Sequence, residues 1–348
     1  MASQVSNQDW LSWITKLMQA TATPGQAASR VPQEGFYCFL DEQPSHLVSG
    51  RLLRQAQTNL GEEQLHFNSD CRLVSEGAWD LSNETARLIT RSSSDGGCIA
   101  WVKDRASGTD MSFWLGPELS QVAHTLQHKP ETVAGLPLHI RAVLSCAQVL
   151  VSTEHTNSRR ETWSTAVQQC QARFRQNGYA PIAGLIHPFH LAALRRYYRR
   201  QIRRGAIRLG DDQSSRRYFA HNEPAARFFH LQLTKIVSIL VGEPVKPSYV
   251  YMAAYQPGAR LERHTDREQC AFSITLCVDY SPEPALATPW PLHLDTPRGT
   301  VSVYQALGDG LLYRGRELPH YRGSLAEGHT STSIFFHYVA ENFSGSLE

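Results

Sequence analysis

Three side chains carry the sharpest chemical signal in the sequence: His264 and Asp266 in RLERHTDREQC, and His320 in GDGLLYRGRELPHYR. Two imidazoles and one carboxylate can occupy one face of an octahedral iron(II), leaving the opposite face open for a bidentate cosubstrate and dioxygen. Residues separated by one project to the same side of an extended segment, so His264 and Asp266 are expected to point into one cavity. His320 must then arrive on a strand that folding returns alongside. A histidine-x-aspartate pair alone is a weak signal, and the alternative is a surface pair with an unrelated capping histidine.

The flanking residues sharpen the reading. YQPGARLERHTD and GDGLLYRGRELPH resemble the two ligand segments of the prolyl-4-hydroxylase-like branch of the iron(II)- and 2-oxoglutarate-dependent oxygenases, and FRQNGYAPIAGLIHPFHLAALRRYY resembles that family's leading helical layer. The resemblance spans residues 170–340, about half of the chain. It implies a double-stranded β-helix (a jelly roll, cupin-like), with His264, Asp266 and His320 as ligands of Fe(2+), and with 2-oxoglutarate and O2 as cosubstrates. Tyr255 stands where the family places a tyrosine that hydrogen-bonds 2-oxoglutarate; the alternative is a strand tyrosine with a satisfied hydroxyl.

One position departs from the family. The usual Lys or Arg after the second histidine, which pairs with the distal carboxylate of 2-oxoglutarate, falls here at His329-Thr330 in EGHTSTSIFFHYV. A buried carboxylate without a partner is costly, so a replacement is needed. Arg322 and a protonated His329 are the two candidate anchors, with Ser331 or Thr332 adding a hydroxyl. Asp266 is itself informative, because halogenating relatives lack the carboxylate. The resemblance therefore implies hydroxylation of an unactivated C–H bond, on a peptide or protein side chain or an amino-acid-like small molecule. A noncatalytic metal-binding jelly roll, acting as sensor or binding module, is the alternative that the missing basic residue keeps open. A nucleic-acid demethylase is the third reading; TSTSIFFHYV lacks the arginine that family carries there.

The elements that must hold these residues can be read from pattern. From Pro247 onward, apolar runs joined by Pro/Gly/Asp turns (SYVYMAAYQ, CAFSITLCVDY, WPLHLD, TVSVYQA, GDGLLYRG, TSIFFHYV) predict an antiparallel sandwich or barrel. Ahead of them, helices are expected over Thr162 to Asn177, over PFHLAALRRYYRRQIRRG and from Glu223 to Val241, with YAPIAGLI as a strand. The pattern thus gives an α+β class, with helices flanking the β-helix that the resemblance implies. The polar stretch 152–161 is the expected linker, dividing residues 1–160, an N-terminal α+β domain of unknown role, from residues 161–348. In the first part, Asp9 to Gln19 is an expected helix, and FYCFL, CIAWV, MSFWL and HIRAVLSCAQVLV read mainly as strands.

Composition sets the wider limits. With 41% hydrophobic and 19% charged residues and a net charge of +2, the chain is an ordinary globular protein. No stretch approaches the ~20 apolar residues of a membrane span, and the N-terminus lacks a signal pattern, so a cytoplasmic location is expected. Seven dispersed cysteines without a CxxC pair read as reduced, buried thiols. The arginines of RRYYRRQIRR form a helical stripe, read as a solvated face interacting with acids ahead of a nucleic-acid surface. His187, His190, His221, His230, His293 and His337 read as structural. The polar residues Arg267, Glu268, Gln269, Arg314, Arg316 and Glu317 beside the triad are candidates for substrate contact. The expected partners are a peptide, protein or small-molecule substrate, without nucleic acid or membrane; a homodimer is compatible with the sequence.

Overall fold

The computed structural model describes residues 64–74, 97–104 and 107–348. The expected helix at Asp9 to Gln19 and the run FYCFL lie outside these residues. By its internal contacts the chain divides into two units, Met1–Arg160 and Glu161–Glu348.

In the first unit, β1 (His66–Phe67), β2 (Cys71–Val74), β3 (Cys98–Lys103) and β4 (Asp110–Leu115) precede helices α1 (Pro117–His128) and α2 (Leu138–Cys146) and strand β5 (Leu150–Val151). β2, β3 and β4 form an antiparallel sheet, and β1 pairs with β5. Ile99, Phe113, Leu115, Leu126 and Leu144 are buried. The run HIRAVLSCAQVLV, read mainly as strand, is helix for its first part: α2 takes up most of it and only Leu150–Val151 is extended. A continuous apolar run does not by itself distinguish a buried helix from a buried strand.

Residues 152–161, the expected linker, contain the division between the two units but are helical rather than irregular. They fall largely within α3 (Thr153–Asn177). This helix is polar over most of its length, which is why no apolar period marks it; Cys170 and Phe174, near its end, are buried. Gly178, at φ +74°, closes the helix through its amide bond to Phe174 O and turns the chain into β6 (Tyr179–Ile182). α4 (Pro188–Arg203) starts with proline at its first position and a His187 cap. After β7 (Arg208–Leu209) and β8 (Arg217–His221), α5 (Pro224–Val241) is capped by Glu223, whose carboxylate also accepts from the Tyr197 and Tyr198 hydroxyls of α4.

The eight remaining strands are β9 (Val245–Tyr255), β10 (Leu261–His264), β11 (Phe272–Ser281), β12 (Leu292–Thr296), β13 (Gly299–Val303), β14 (Gly310–Tyr313), β15 (His320–Arg322) and β16 (Thr330–Ala340). They are shared between a large sheet, in the order β6-β14-β11-β16-β9-β8-β7, and a small one, β10-β15-β12-β13, with every pairing antiparallel. The chain passes from one sheet to the other repeatedly, as a double-stranded β-helix requires, so the expected fold is the one found.

Alternation decides what each face of the large sheet carries. One face, formed by residues such as Val250, Met252, Ile274, Ile334 and Phe336, is buried, and α5 packs along β9 and β16. The other face turns towards the small sheet, and between the sheets Leu261, Leu292, Leu294, Leu311, Tyr313 and Leu318 form an apolar cluster. Among the described residues no helix is long and apolar enough to cross a membrane.

Candidate metal centre

His264 ends β10 and His320 begins β15, and the two are opposite one another in an antiparallel pair. A register shift between Leu261 and His264 lets both imidazoles face the same space, with ring centroids 4.4 Å apart. Asp266 lies just beyond the strand end, where its amide donates to Gly315 O at 2.9 Å. Its Oδ1 is 3.7 Å from His264 Nε2 and 3.5 Å from His320 Nε2. Ligand atoms side by side around a metal at ~2.1 Å lie about 3 Å apart, so small movements of these side chains would close the set around an ion.

The protons on the two imidazoles are fixed by the backbone. His264 Nδ1 is 2.8 Å from Glu262 O and His320 Nδ1 is 3.0 Å from Leu318 O. A carbonyl only accepts, so each Nδ1 carries the proton and each Nε2 presents its lone pair towards Asp266. Burial, with the neighbouring His320, lowers the pKa of His264 and favours the neutral ligand form. Burial alone would raise the Asp266 carboxyl, but His320, His337 and the Ser273 hydroxyl outweigh it and hold the group at about 2. The site offers two imidazole nitrogens and one carboxylate, the donor set of a divalent metal with open positions.

A second grouping, Asp266, Cys270 and His337, shares the carboxylate. Its members already have other partners. The Cys270 thiol, pushed up to about 12 chiefly by burial, lies 3.1 Å from Tyr249 Oη, and His337 Nδ1 lies 2.9 Å from Ser273 Oγ. These residues form the packed backing of the first set.

The candidate cosubstrate residues separate clearly. Tyr255 is fully buried at the end of β9, its ring edge-on to Trp290 at 5.0 Å and its hydroxyl 3.4 Å from Arg217 Nη1. In register with it are Arg217, Ser331 and, through Ser331, Tyr280, so these side chains share the inward face. Arg322 is buried; its Nη1 donates to Trp290 O at 2.7 Å, its Nη2 is 3.4 Å from Gln305 Oε1, and its guanidinium stacks on the Trp290 ring. Its Nε has no hydrogen-bond partner among the described residues, and neither of these bonds is to a carboxylate. Burial lowers the pKa of this guanidinium. A buried cation with donors to spare is the feature a bound anion would complete.

His329 is only half-buried and its Nδ1 bonds the Tyr280 hydroxyl at 2.9 Å. Thr332 is in register with Ala254 and Asp279, and the Asp279 carboxylate is held by Arg195 and Arg199 of α4. Thr332 thus belongs to the helix-facing side of β16, and the expectation of a cosubstrate hydroxyl there is not met. The reason is period two: in a strand, Ser331 and Thr332 cannot both face inward.

The neighbouring polar residues sort in the same way. Arg314 stacks over Phe174 and Phe272 and pairs with Glu317, while Arg267, Glu268 and Arg316 are exposed. The arginine stripe of α4 is partly internal: Arg195 is buried and pairs with Asp279 and Glu283. The cysteines among the described residues are all free thiols. Reading the sequence missed Ser273, Gly315, Trp290, Gln305 and Arg217, and it classed His337 with the purely structural histidines. No local pattern marks them; strand register brings them to the site.

The chain matches no family model and no curated protein. Among solved structures it resembles the non-heme alpha ketoglutarate dependent epimerase SnoN from nogalamycin biosynthesis, at 14% identity over 51% of this chain and 83% of that one, with a TM-score of 0.43. A Pseudomonas putida prolyl-4-hydroxylase aligns at 16% identity over 49% of this chain and 98% of its own, with a TM-score of 0.41. HygX from Streptomyces hygroscopicus, solved with nickel, 2-oxoglutarate and hygromycin B bound, aligns at 14% identity over 51% and 88%, with a TM-score of 0.41. At these levels no residue role carries over from them.

Proposed function

We propose that this chain is an iron(II)- and 2-oxoglutarate-dependent oxygenase that hydroxylates an unactivated C–H bond, in the cytoplasm, on a peptide or protein side chain or an amino-acid-like small molecule. One observation carries the reading: Nε2 of His264, Nε2 of His320 and Oδ1 of Asp266 converge, and two residues beyond His320 on the same strand stands a buried arginine that hydrogen-bonds no carboxylate among the described residues. The donor set fits a divalent iron with positions left open, and the orphaned Arg322 Nε fits the distal carboxylate of a dicarboxylic cosubstrate.

Iron and 2-oxoglutarate, when bound, supply the oxidising chemistry. The chain's own part is to hold and exclude. Glu262 O and Leu318 O keep the two imidazoles in the ligating tautomer. Arg322, steadied by Trp290 and Gln305, anchors the cosubstrate with Tyr255 and Ser331 on the facing wall, while Tyr313, edge-on to His320 at 4.9 Å, helps to keep water from the triad. In this reading Arg322, on the neighbouring small sheet, takes the part of the basic residue absent from β16, which weighs against a noncatalytic module. No arginine follows in β16 to favour the nucleic-acid demethylase.

Anaerobic titration with iron(II) and then 2-oxoglutarate tests the reading. A weak visible charge-transfer band should form in the wild type and be lost in His320→Ala. Iron binding without a band would return the noncatalytic reading to first place.

A further inference from the structure

Asp266 has two carboxylate oxygens, and only one faces the histidines. Oδ2 accepts a hydrogen bond from Ser273 Oγ at 2.8 Å. That hydroxyl has a single proton, and the ionised carboxylate can only accept, so the proton lies on the Asp266 side. The contact of 2.9 Å between Ser273 Oγ and His337 Nδ1 must then be donated by the imidazole. The chain of donors runs from His337 through Ser273 to Asp266.

Each member is held in turn. Ser273 and His337 are opposite one another in the β11–β16 ladder. His337 is buried, its ring rests against Tyr249 at 4.7 Å, and its carbonyl is 2.8 Å from His230 Nε2. Gly315 closes the other side. A Cβ added there would overlap Asp266 Oδ2 and come within 2.8 Å of both Ser273 Oγ and Cys270 O, while the Gly315 carbonyl already accepts the Asp266 amide. Any side chain at position 315 would displace the carboxylate.

We propose that Ser273, His337 and Gly315 form a clamp that makes Asp266 a one-oxygen ligand and sets the affinity of the centre for its metal; this rests on reading His264, Asp266 and His320 as the metal triad. With Oδ2 held by Ser273 and backed by Gly315, turning it to the metal would break that hydrogen bond, so binding through Oδ1 alone is favoured and the neighbouring coordination position stays open. Its orientation is fixed before the ion arrives, and less freedom is lost on binding. Ser273 and His337 are positioning residues in this scheme and touch the metal through Asp266 alone.

The test uses the full-length apoprotein and Co(II) as probe, titrated without oxygen by calorimetry and visible absorption. Ser273→Ala should weaken Co(II) binding about 10- to 100-fold, the range found when such outer partners are removed. His337→Leu should match it, and His337→Asn, which keeps a side-chain N–H donor, should stay closer to the wild type. At saturating Co(II), the affinity of Ser273→Ala for 2-oxoglutarate should be unchanged, and its melting temperature should fall only by the few degrees that losing one buried hydrogen-bonding side chain costs. Wild-type Co(II) affinity in Ser273→Ala overturns the clamp alone. Parallel losses of Co(II) affinity, 2-oxoglutarate affinity and melting temperature overturn it in favour of a general packing role. Failure of the wild type to bind Co(II), or equal binding by His320→Ala, overturns the triad reading and the clamp with it.

Discussion

Arg322 is held by both parts of Trp290: its Nη1 donates to the Trp290 carbonyl at 2.7 Å while its guanidinium carbon lies 4.8 Å from the centroid of the same residue's ring. This double hold fixes the plane of the guanidinium and leaves its Nε edge as the unengaged one. A planar fork presented in this way is suited to a carboxylate.

Replacing the anchor should therefore separate cosubstrate from metal. Arg322→Gln is expected to weaken 2-oxoglutarate binding by about 2–4 kcal/mol, the cost of removing one side of a buried charge pair, which is roughly 30- to 1000-fold. Iron affinity should stay near the wild-type value. Arg322→Lys should recover only part of the loss because it cannot reproduce the fork. His329→Ala, at a half-buried residue bonded to Tyr280, should change cosubstrate affinity much less. A larger effect from His329 than from Arg322 would reverse the assignment.

Two adjacent hydroxyls on β16 give a sharper contrast. Ser331 shares its row with Tyr255 and Tyr280, whereas Thr332 shares its row with Ala254 and Asp279. Ser331→Ala should cost about 1 kcal/mol of cosubstrate affinity, the usual worth of one hydrogen bond. Thr332→Val should leave that affinity unchanged. Calorimetry at saturating metal would separate them, and an effect confined to Thr332 would place the inward face of β16 one residue off.

The contrast also marks what the sequence could and could not convey. Long apolar runs such as CAFSITLCVDY and TSIFFHYV announce their strands, because both faces of β11 and β16 are buried. The ligand strands LERH and HYR are too short and too polar to announce themselves, and only the identity of their histidines drew attention to them. Helix α3 went unread over its first turns because it is polar and carries no apolar stripe there. Ser273 and His337 come to Asp266 through the pairing of distant strands, a row that local spacing does not reveal. Arg322 is within reach of spacing, two residues beyond His320 on one strand, but spacing leaves it level with His329, and only the packing shows which of the two is buried.

The helix-facing side of the large sheet should affect stability without affecting the metal. Asp279 accepts from Arg195 Nε at 2.9 Å and from Arg199, and Arg195 is buried. Asp279→Ala would leave that guanidinium with Glu283, a more exposed partner. Removing one member of a buried pair costs about 3–5 kcal/mol, and the remaining Glu283 contact should keep the loss towards the lower end. The denaturant midpoint should fall while Co(II) affinity stays within about twofold of wild type, a difference near 0.4 kcal/mol. An equal loss of metal affinity would contradict the separation of the two faces.

Acid sensitivity should trace to a histidine on α5. His230 is buried between Phe336 and Tyr338, with Nε2 at 2.8 Å from His337 O, and burial lowers its pKa from 6.5 to about 3. The folded protein therefore binds fewer protons here than the unfolded chain between these two values. The stability that follows is fully present above pH 6.5 and is lost as the pH falls towards 3, with a limiting slope of about 1.4 kcal/mol per pH unit from this one group. His230→Gln keeps a side-chain donor for the His337 carbonyl but has nothing to titrate. Urea unfolding of wild type and His230→Gln at pH 7.5 and pH 5.0 should show a smaller acid loss in the variant, by about 1–2 kcal/mol, whatever its absolute stability. Equal losses in the two proteins would mean that His230 takes up its proton in the folded state as readily as in the unfolded chain.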